Sequence, residues 1–371
     1  MRIVFVSDAI YPYNKGGKEK RLHELSTRLA AMGHEVHIYT MHWWATPEAT
    51  RIESGVRLHA ISRRYDMYHN GRRSMKQAVL FSLACLKLFT AKFDVMDVDH
   101  IPLFPVFAAW LVCAARGKRL YATWHEALSA DDWVGYMGAM GRLAALVERA
   151  STMLPYQITA ASGQTKRLLA LHDGRRKRVA VVASGVDTAL LRQVKPMRER
   201  VDVLYTGRLV RDKNVAILIT AMAVVAKQRP GVRCVIIGHG IELANLRRLV
   251  RKLHLQETVT FMEPLADARD VYRYMKRAKV FVLPSIREGF GIVALEALGC
   301  GTPVVTVDVP ANATRELVAN GRTGSVVDLD AEQIAVAIMY WMDAGKLAGE
   351  YLADDWQDLA EKQLRLYRAR H

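Results

Sequence analysis

The sequence runs to 371 residues, about half of them hydrophobic, with 53 Lys and Arg against 37 Asp and Glu and a formal net charge of +16. That length is generous for one domain, so two are expected, and the widely spaced Cys85, Cys113, Cys234 and Cys300 show no CxxC or zinc spacing, which argues against a disulfide scaffold and for a reduced, cytosolic protein. The opening MRIVFVSDAI lacks the apolar segment and cleavage site of a signal peptide, and no apolar stretch reaches the roughly 20 residues of a membrane span.

In chain order, the first half sets strand-like runs RIVFVSD, HEVHIYT, VRLHAI, FDVMDVD and RLYATWH between helical stretches such as EKRLHELSTRLAAMG, whose apolar positions recur at helical spacing up to a Gly stop. Strands and helices in alternation predict a doubly wound parallel sheet. After the first strand, YPYNKGGKEKRLHEL places Gly16 and Gly17 at a helix start, where backbone amides can approach a phosphate; a tight turn explains the same pair. It is not the GxGxxG dinucleotide fingerprint, which counts against a dehydrogenase. The stretches AVLFSLACLKLF (78–89) and IPLFPVFAAWLVCAA (101–115) are expected to be buried helices of a layered domain. Basic runs stand at 62–76, 116–119 and 173–178, and the first leads into an apolar helix, a pattern that suits an anionic lipid surface.

A charged, Pro-containing stretch near 187–200 is the expected hinge. Beyond it VDVLYTGRL, VRCVIIGHG, TVTFMEP, KVFVLPS, TPVVTVD and TGSVVDL repeat the strand pattern, so the architecture occurs twice. Gly207, Arg208 and Lys213 follow the first of these strands, and two cations there suit a diphosphate as readily as they suit solvent. Gly238 opens the loop after the next strand. In EGFGIVALE two acids, Glu288 and Glu296, flank a Gly-Phe-Gly turn at a helix start, where open parallel sheets hold ligands. A buried carboxylate needs a hydrogen-bonding or cationic partner, and Arg287 is the local alternative to a ligand. The expected division is residues 1–187 and 188–351, with a helix at 352–371 returning to the first domain.

Together GRLVRDK, GHG, FVLPSIREGFGIVALEALGCGTPVV and the early GG resemble the family-4 glycosyltransferases, retaining enzymes of GT-B fold in which two Rossmann-like domains face a central cleft. The resemblance implies an acceptor-binding first domain and a second domain that binds a nucleotide-sugar, UDP- or GDP-linked by expectation, with no tightly bound cofactor. It implies that Glu296 accepts hydrogen bonds from the donor ribose and that Glu288 contacts the transferred sugar, supported by the backbone of Gly289, Phe290 and Gly291. The amides of Ile292 and Val293 would meet the diphosphate, Arg208 and Lys213 would clamp it, and Gly16 would touch its distal phosphate. Met262 and Glu263 would meet the base through their backbone, and His125 would stand near the reacting sugar carbon, with Glu126 beside it. The turn VVASGVD departs from the family pattern at Ala183-Ser184, away from the chemistry.

The clamp would take the place of a metal. Two Asp-x-Asp triplets, at 97–99 and 328–330, are too short to argue otherwise, and neither falls in the ligand-facing loops named above. The acceptor is expected at an anionic membrane, reached through Arg63, Arg64, Arg72, Arg73 and Lys76, which makes the enzyme cytoplasmic and peripheral. Two alternatives stand beside this reading. A sugar-nucleotide epimerase of the same architecture would convert its donor without an acceptor, and a nucleic-acid-binding protein would explain the charge, although no recognition signature for one is present.

Overall fold

Short apolar runs closed by Gly, Pro or Asp form parallel strands in both halves, because a strand covered by helices on both faces needs no polar alternation. The computed structural model describes all residues except 70–71, 174–177, 348–353 and 370–371. Most of the basic run at 173–178 therefore lies outside the described residues. Contacts divide the chain into one unit of Met1–Ser184 with Trp356–His371 and another of Gly185–Asp355.

The first unit contains, in order, β1 (Arg2–Val6), α1 (Gly17–Ala31), β2 (Glu35–Met41), β3 (Thr50–Glu53), β4 (Val56–Ser62), β5 (Tyr68–His69), β6 (Arg72–Arg73), α2 (Met75–Cys85), β7 (Val95–Asp99), α3 (Phe104–Ala115), β8 (Leu120–Trp124), α4 (Ala130–Met137), α5 (Gly141–Thr152), β9 (Gln157–Ala160), α6 (Gly163–Asp173) and β10 (Val179–Val181). Its sheet runs β10-β9-β8-β7-β1-β2-β4-β3, parallel except for the β3–β4 hairpin, while β5 and β6 pair separately. Alternation along β7 decides what each face does. Met96 and Val98 join the core with Phe81, Cys85, Val106 and Val112 of α2 and α3, whereas Asp97 points to the C-terminal helix and accepts from Tyr367 Oη at 2.5 Å. Arg21, buried on α1, donates to the Val182 carbonyl at 3.0 Å on the same side of the chain's first unit.

The expectation of two buried helices needs correction. Both α2 and α3 bury one face and leave the other open, with Val79, Leu83, Trp110 and Leu111 exposed. The reason is topological, since each helix covers the sheet once and nothing described packs outside it.

The second unit carries α7 (Thr188–Gln193), β11 (Val203–Thr206), α8 (Val215–Gln228), β12 (Cys234–Ile237), α9 (Leu243–Lys252), β13 (Val259–Met262), α10 (Ala268–Arg277), β14 (Val280–Leu283), α11 (Ile292–Gly299), β15 (Val304–Val307), β16 (Gly324–Val327) and α12 (Ala331–Ala344). All six strands are parallel in the order β13-β12-β11-β14-β15-β16. The order reverses beside β11, so the loops after β11 and β14 open at the switch point where such sheets bind ligands. Returning to the first unit, α13 (Trp356–Arg368) packs on α1 and supplies Gln363 and Tyr367 to Asp97.

Glu148 of α5 is buried and accepts from Trp133 Nε1 of α4 at 2.6 Å. Burial outweighs that bond and pushes its pKa from 4.5 up to about 7. Between those values the folded chain holds the proton more tightly than the unfolded one, so stability falls as pH rises through the window. Glu148→Gln keeps an acceptor for Trp133 and should raise stability at pH 8 by roughly 2 to 3 kcal/mol while leaving pH 4 nearly unchanged. Denaturant melts at the two pH values check this, and an unaltered pH dependence in the variant would refute it.

Candidate active site

The candidate residues of the second unit stand on two loops stitched together. After β11, Gly207 and Arg208 lead to a turn at Arg211–Lys213. After β14, Pro284 and Ser285 lead to Glu288 and the start of α11. Lys213 Nζ is in direct contact with Glu288 Oε1, and Ser285 Oγ donates to the same oxygen at 3.1 Å. Ile286 N donates to the Asp212 carbonyl at 2.9 Å, and Arg287 pairs with Asp212 at 3.0 Å. Arg287 is thus committed to Asp212, and Glu296 is held by a different group. Arg208 is exposed, and its carbonyl accepts from Tyr205 Oη at 3.0 Å, which sets the loop's exit angle.

The turn into α11 requires glycine. Gly291 caps the helix at φ +86°, a left-handed conformation, and a Cβ there would meet Thr314 Oγ1 at 2.2 Å. The first helical amides, those of Ile292 and Val293, have no intrahelical acceptor and point outward at the positive end of the helix. Glu296 lies one turn further on and is buried, accepting from Tyr272 Oη of α10 at 3.0 Å. At Gly238 a Cβ would come within 1.9 Å of the Gly207 carbonyl oxygen, so two ligand-facing loops can touch only because that residue is glycine. Gly238 N also donates to the Met262 carbonyl at 2.9 Å, which ties the end of β13 to this loop and leaves Phe290 packed on the unit's core.

Tyr272 was not visible as a functional residue in the sequence. Its hydroxyl fixes the orientation of Glu296, so Tyr272→Phe should raise the donor KM by about 3- to 10-fold with little change in kcat, the worth of one hydrogen bond. Steady-state kinetics with the donor varied would check it, and an unchanged KM would show that Glu296 needs no such support.

In the first unit the candidate residues gather at the ends of β1, β7 and β8. Gly16 is the N-cap of α1 and Gly17 its first residue. Lys18, next in line, is half-buried and reaches Asp8 at 2.8 Å and Asp99 at 3.7 Å. His125 Nε2 meets Asp99 Oδ1 at 2.7 Å, and the His125 amide donates to His100 Nδ1 at 3.2 Å. Burial opposes ionisation of Asp99, yet His125 and Lys18 outweigh it and hold the carboxyl well below its ordinary range. Burial likewise keeps the His100 ring neutral by lowering its pKa well below the usual value. Within the 97–99 triplet, Asp99 ends β7 in contact with the candidate residue His125, and Asp97 anchors α13. Among the described residues no group of three or more His, Cys, Asp and Glu is arranged to hold a metal ion.

The basic run departs from expectation at Arg73. Its guanidinium pairs with buried Asp8 at 3.0 Å and lies over the Tyr68 ring, so it belongs to the Lys18 network and not to a solvated patch. Arg63 and Arg64 are exposed and stack on Tyr65 and Trp43. The charges of the run are adjacent in sequence and so suggest one surface, whereas the β5–β6 pairing turns Arg73 inward.

Two parallel-sheet units, a switch-point site with two acids and two cations, and a histidine at a strand end define a glycosyltransferase of the GT-B class. The profile for glycosyl transferases group 1 matches residues 188–354, and that for glycosyltransferase family 4 matches residues 15–190. The chain belongs to this family of GT-B glycosyltransferases. It is 29% identical to the glycogen synthase of Mycobacterium tuberculosis over 402 aligned residues, spanning 100% of this chain and 95% of that protein. It is 32% identical over 184 residues to a D-inositol 3-phosphate glycosyltransferase of Pseudarthrobacter chlorophenolicus, a match to 46% of this chain and 43% of the relative. In fold it superposes on sucrose-phosphate synthase of Thermosynechococcus elongatus with a TM-score of 0.76 at 20% identity, covering 99% and 98% of the two chains. Anabaena HepE, solved with UDP and glucose, gives 0.73 at 16% identity and covers 99% of each.

Proposed function

We propose that this enzyme transfers a sugar, with retention of anomeric configuration, from a nucleotide-sugar to a hydroxyl of an acceptor held at a membrane. The observation that carries the donor assignment is the paired set in the second unit: Lys213 on Glu288, Tyr272 on Glu296, and the free first-turn amides of α11 beside them. Acids of this kind accept from sugar and ribose hydroxyls, while the cations and amides suit a diphosphate. In the reaction the bond from the anomeric carbon to the diphosphate oxygen breaks, and the acceptor oxygen bonds to the same face of that carbon. The acceptor proton passes to a phosphate oxygen. Arg208 and Lys213 offset the charge that develops on the leaving group, a role that otherwise falls to a divalent cation. His125, oriented by Asp99, is the residue we assign to the reacting sugar.

UDP-sugars are the first donors to try, since HepE was solved with UDP and a trehalose-6-phosphate enzyme of E. coli with UDP-2-fluoro glucose. A thermal-shift panel of UDP-, GDP-, ADP- and TDP-sugars, with and without EDTA, tests the reading. A ligand at about 100 times its Kd adds roughly 2.7 kcal/mol. One nucleotide class should stabilise the protein equally with EDTA, and Glu296→Ala should abolish the effect. Product analysis then separates transfer from epimerisation: the donor should be consumed only when an acceptor is present. No stabilisation by any class, or conversion of donor alone, overturns the proposal.

A further inference from the structure

We infer that the outward face of the α2–α3–α5 layer in the first unit is a docking surface for a bilayer containing anionic lipid. This deepens the proposed membrane-held acceptor and rests on it for its purpose, though not for its test.

The surface follows from what these helices show to solvent. The inner faces of α2 and α3 enter the core through Phe81, Cys85, Val106 and Val112, and α5 buries Gly141, Glu148, Ser151 and Thr152. Their outer faces present Val79 and Leu83 on α2, Trp110 and Leu111 on α3, and Leu143 and Leu146 on α5, with Leu83 58% and Leu146 61% exposed. An exposed leucine standing alone means little. Here α2 packs on α3, and α3 meets α5, so the apolar side chains lie on neighbouring helices of one layer.

Charge decides what covers them. The one charged residue of α2 is Lys76, α3 has none, and α5 carries Arg142, Arg149 and Glu148, of which Glu148 is buried. Lys87 follows on the turn after α2. Every solvent-facing charge on the three helices is therefore positive. A second copy docking on the same patch would set cation against cation across the symmetry axis. Anionic headgroups satisfy the cations while leucine and tryptophan enter the acyl boundary, with Trp110 suited to the interface by its polar ring edge. No described helix is long and apolar enough to cross a membrane. The layer would lie on the bilayer, and the three arginine and lysine stems would reach up to the phosphates past the apolar side chains.

The test uses the full chain and needs no donor. All four native cysteines are buried, so a thiol-reactive environmental dye placed through Leu146→Cys reports from this face alone. Vesicles of phosphatidylcholine with phosphatidylglycerol should float the protein and shift the dye emission to the blue, and phosphatidylcholine alone should do neither. Arg142→Ser with Arg149→Ser should weaken partitioning roughly 25-fold, from about 1 kcal/mol per cation near an anionic surface at 1.4 kcal/mol per decade. Leu83→Ser with Leu146→Ser should also release the protein while its stabilisation by the nucleotide-sugar stays as in the parent. No flotation, flotation without a dye shift, or flotation that survives the leucine changes would overturn the assignment. So would self-association that the same changes abolish, which would give the face to a second copy. If vesicle binding holds and no lipid-held acceptor is glycosylated, the docking surface stands and the acceptor proposal falls.

Discussion

Lys213→Ala should lower kcat by about 100- to 1000-fold, the usual cost of removing one preorganised charge from a site where charge develops in the transition state, about 3 to 4 kcal/mol. Two effects combine. The diphosphate loses a cation as it leaves, and Glu288 loses the partner that contacts its Oε1, retaining the Ser285 hydroxyl at 3.1 Å. Since Lys213 and Glu288 are both largely shielded from solvent, with side-chain exposures of 15% and 12%, water replaces the ammonium poorly. The charge on the leaving group grows along the reaction, so kcat should fall much more than donor affinity does. Arg208→Ala touches the same diphosphate from an exposed position and should cost less. Lys213→Arg restores charge with a planar fork that does not fit a site shaped for a point charge, and should recover only part of the rate. Donor titration by thermal shift alongside steady-state kinetics separates the two quantities. A kcat for Lys213→Ala within threefold of the parent would remove Lys213 from the chemistry.

How far the sequence anticipates this site depends on whether a residue acts locally or through the fold. The four central strands of the second unit, β11, β12, β14 and β15, stand out as apolar runs because each is buried on both faces, and their loops inherit the right side of the sheet from chain order. Glu288, Gly291 and Glu296 are legible for the same reason, being one loop and one helical turn. Tyr272 is not, since it reaches Glu296 from another helix, 24 positions away, and a tyrosine at a core position looks like packing. Asp99 is hidden by the opposite difficulty: a short acidic triplet invites a metal or nothing, and only the register of β7 beside β8 places it opposite His125. The short strands β3, β5, β6, β9 and β10 leave no comparable run to find. Arg73 shows the limit of reading charge along the chain, because one tight strand pairing turns it toward Asp8 while Arg63 and Arg64 of the same run are exposed.

The Asp99–His125 pair has its own signature. With Nε2 of the ring 2.7 Å from Asp99 Oδ1, Nε2 is the nitrogen that donates and Nδ1 is turned away from the carboxylate, so Asp99 fixes both the donating nitrogen and the ring plane. Lys18, 3.7 Å from Asp99 and 2.8 Å from Asp8, keeps the carboxylate ionised in a buried setting. Asp99 thus serves as a positioning residue for His125, and Asp99→Asn should reduce kcat by about 10- to 100-fold, with His125→Ala losing about 100-fold. If Asp99 acts through the ring, the double variant should be no slower than His125→Ala alone, because a group that orients a missing side chain has nothing left to orient. A merely structural Asp99 predicts multiplied losses and a lowered Tm in both backgrounds. Kinetics of the four proteins, with melts as the control, decide between them, and additive free energies would return Asp99 to the scaffold.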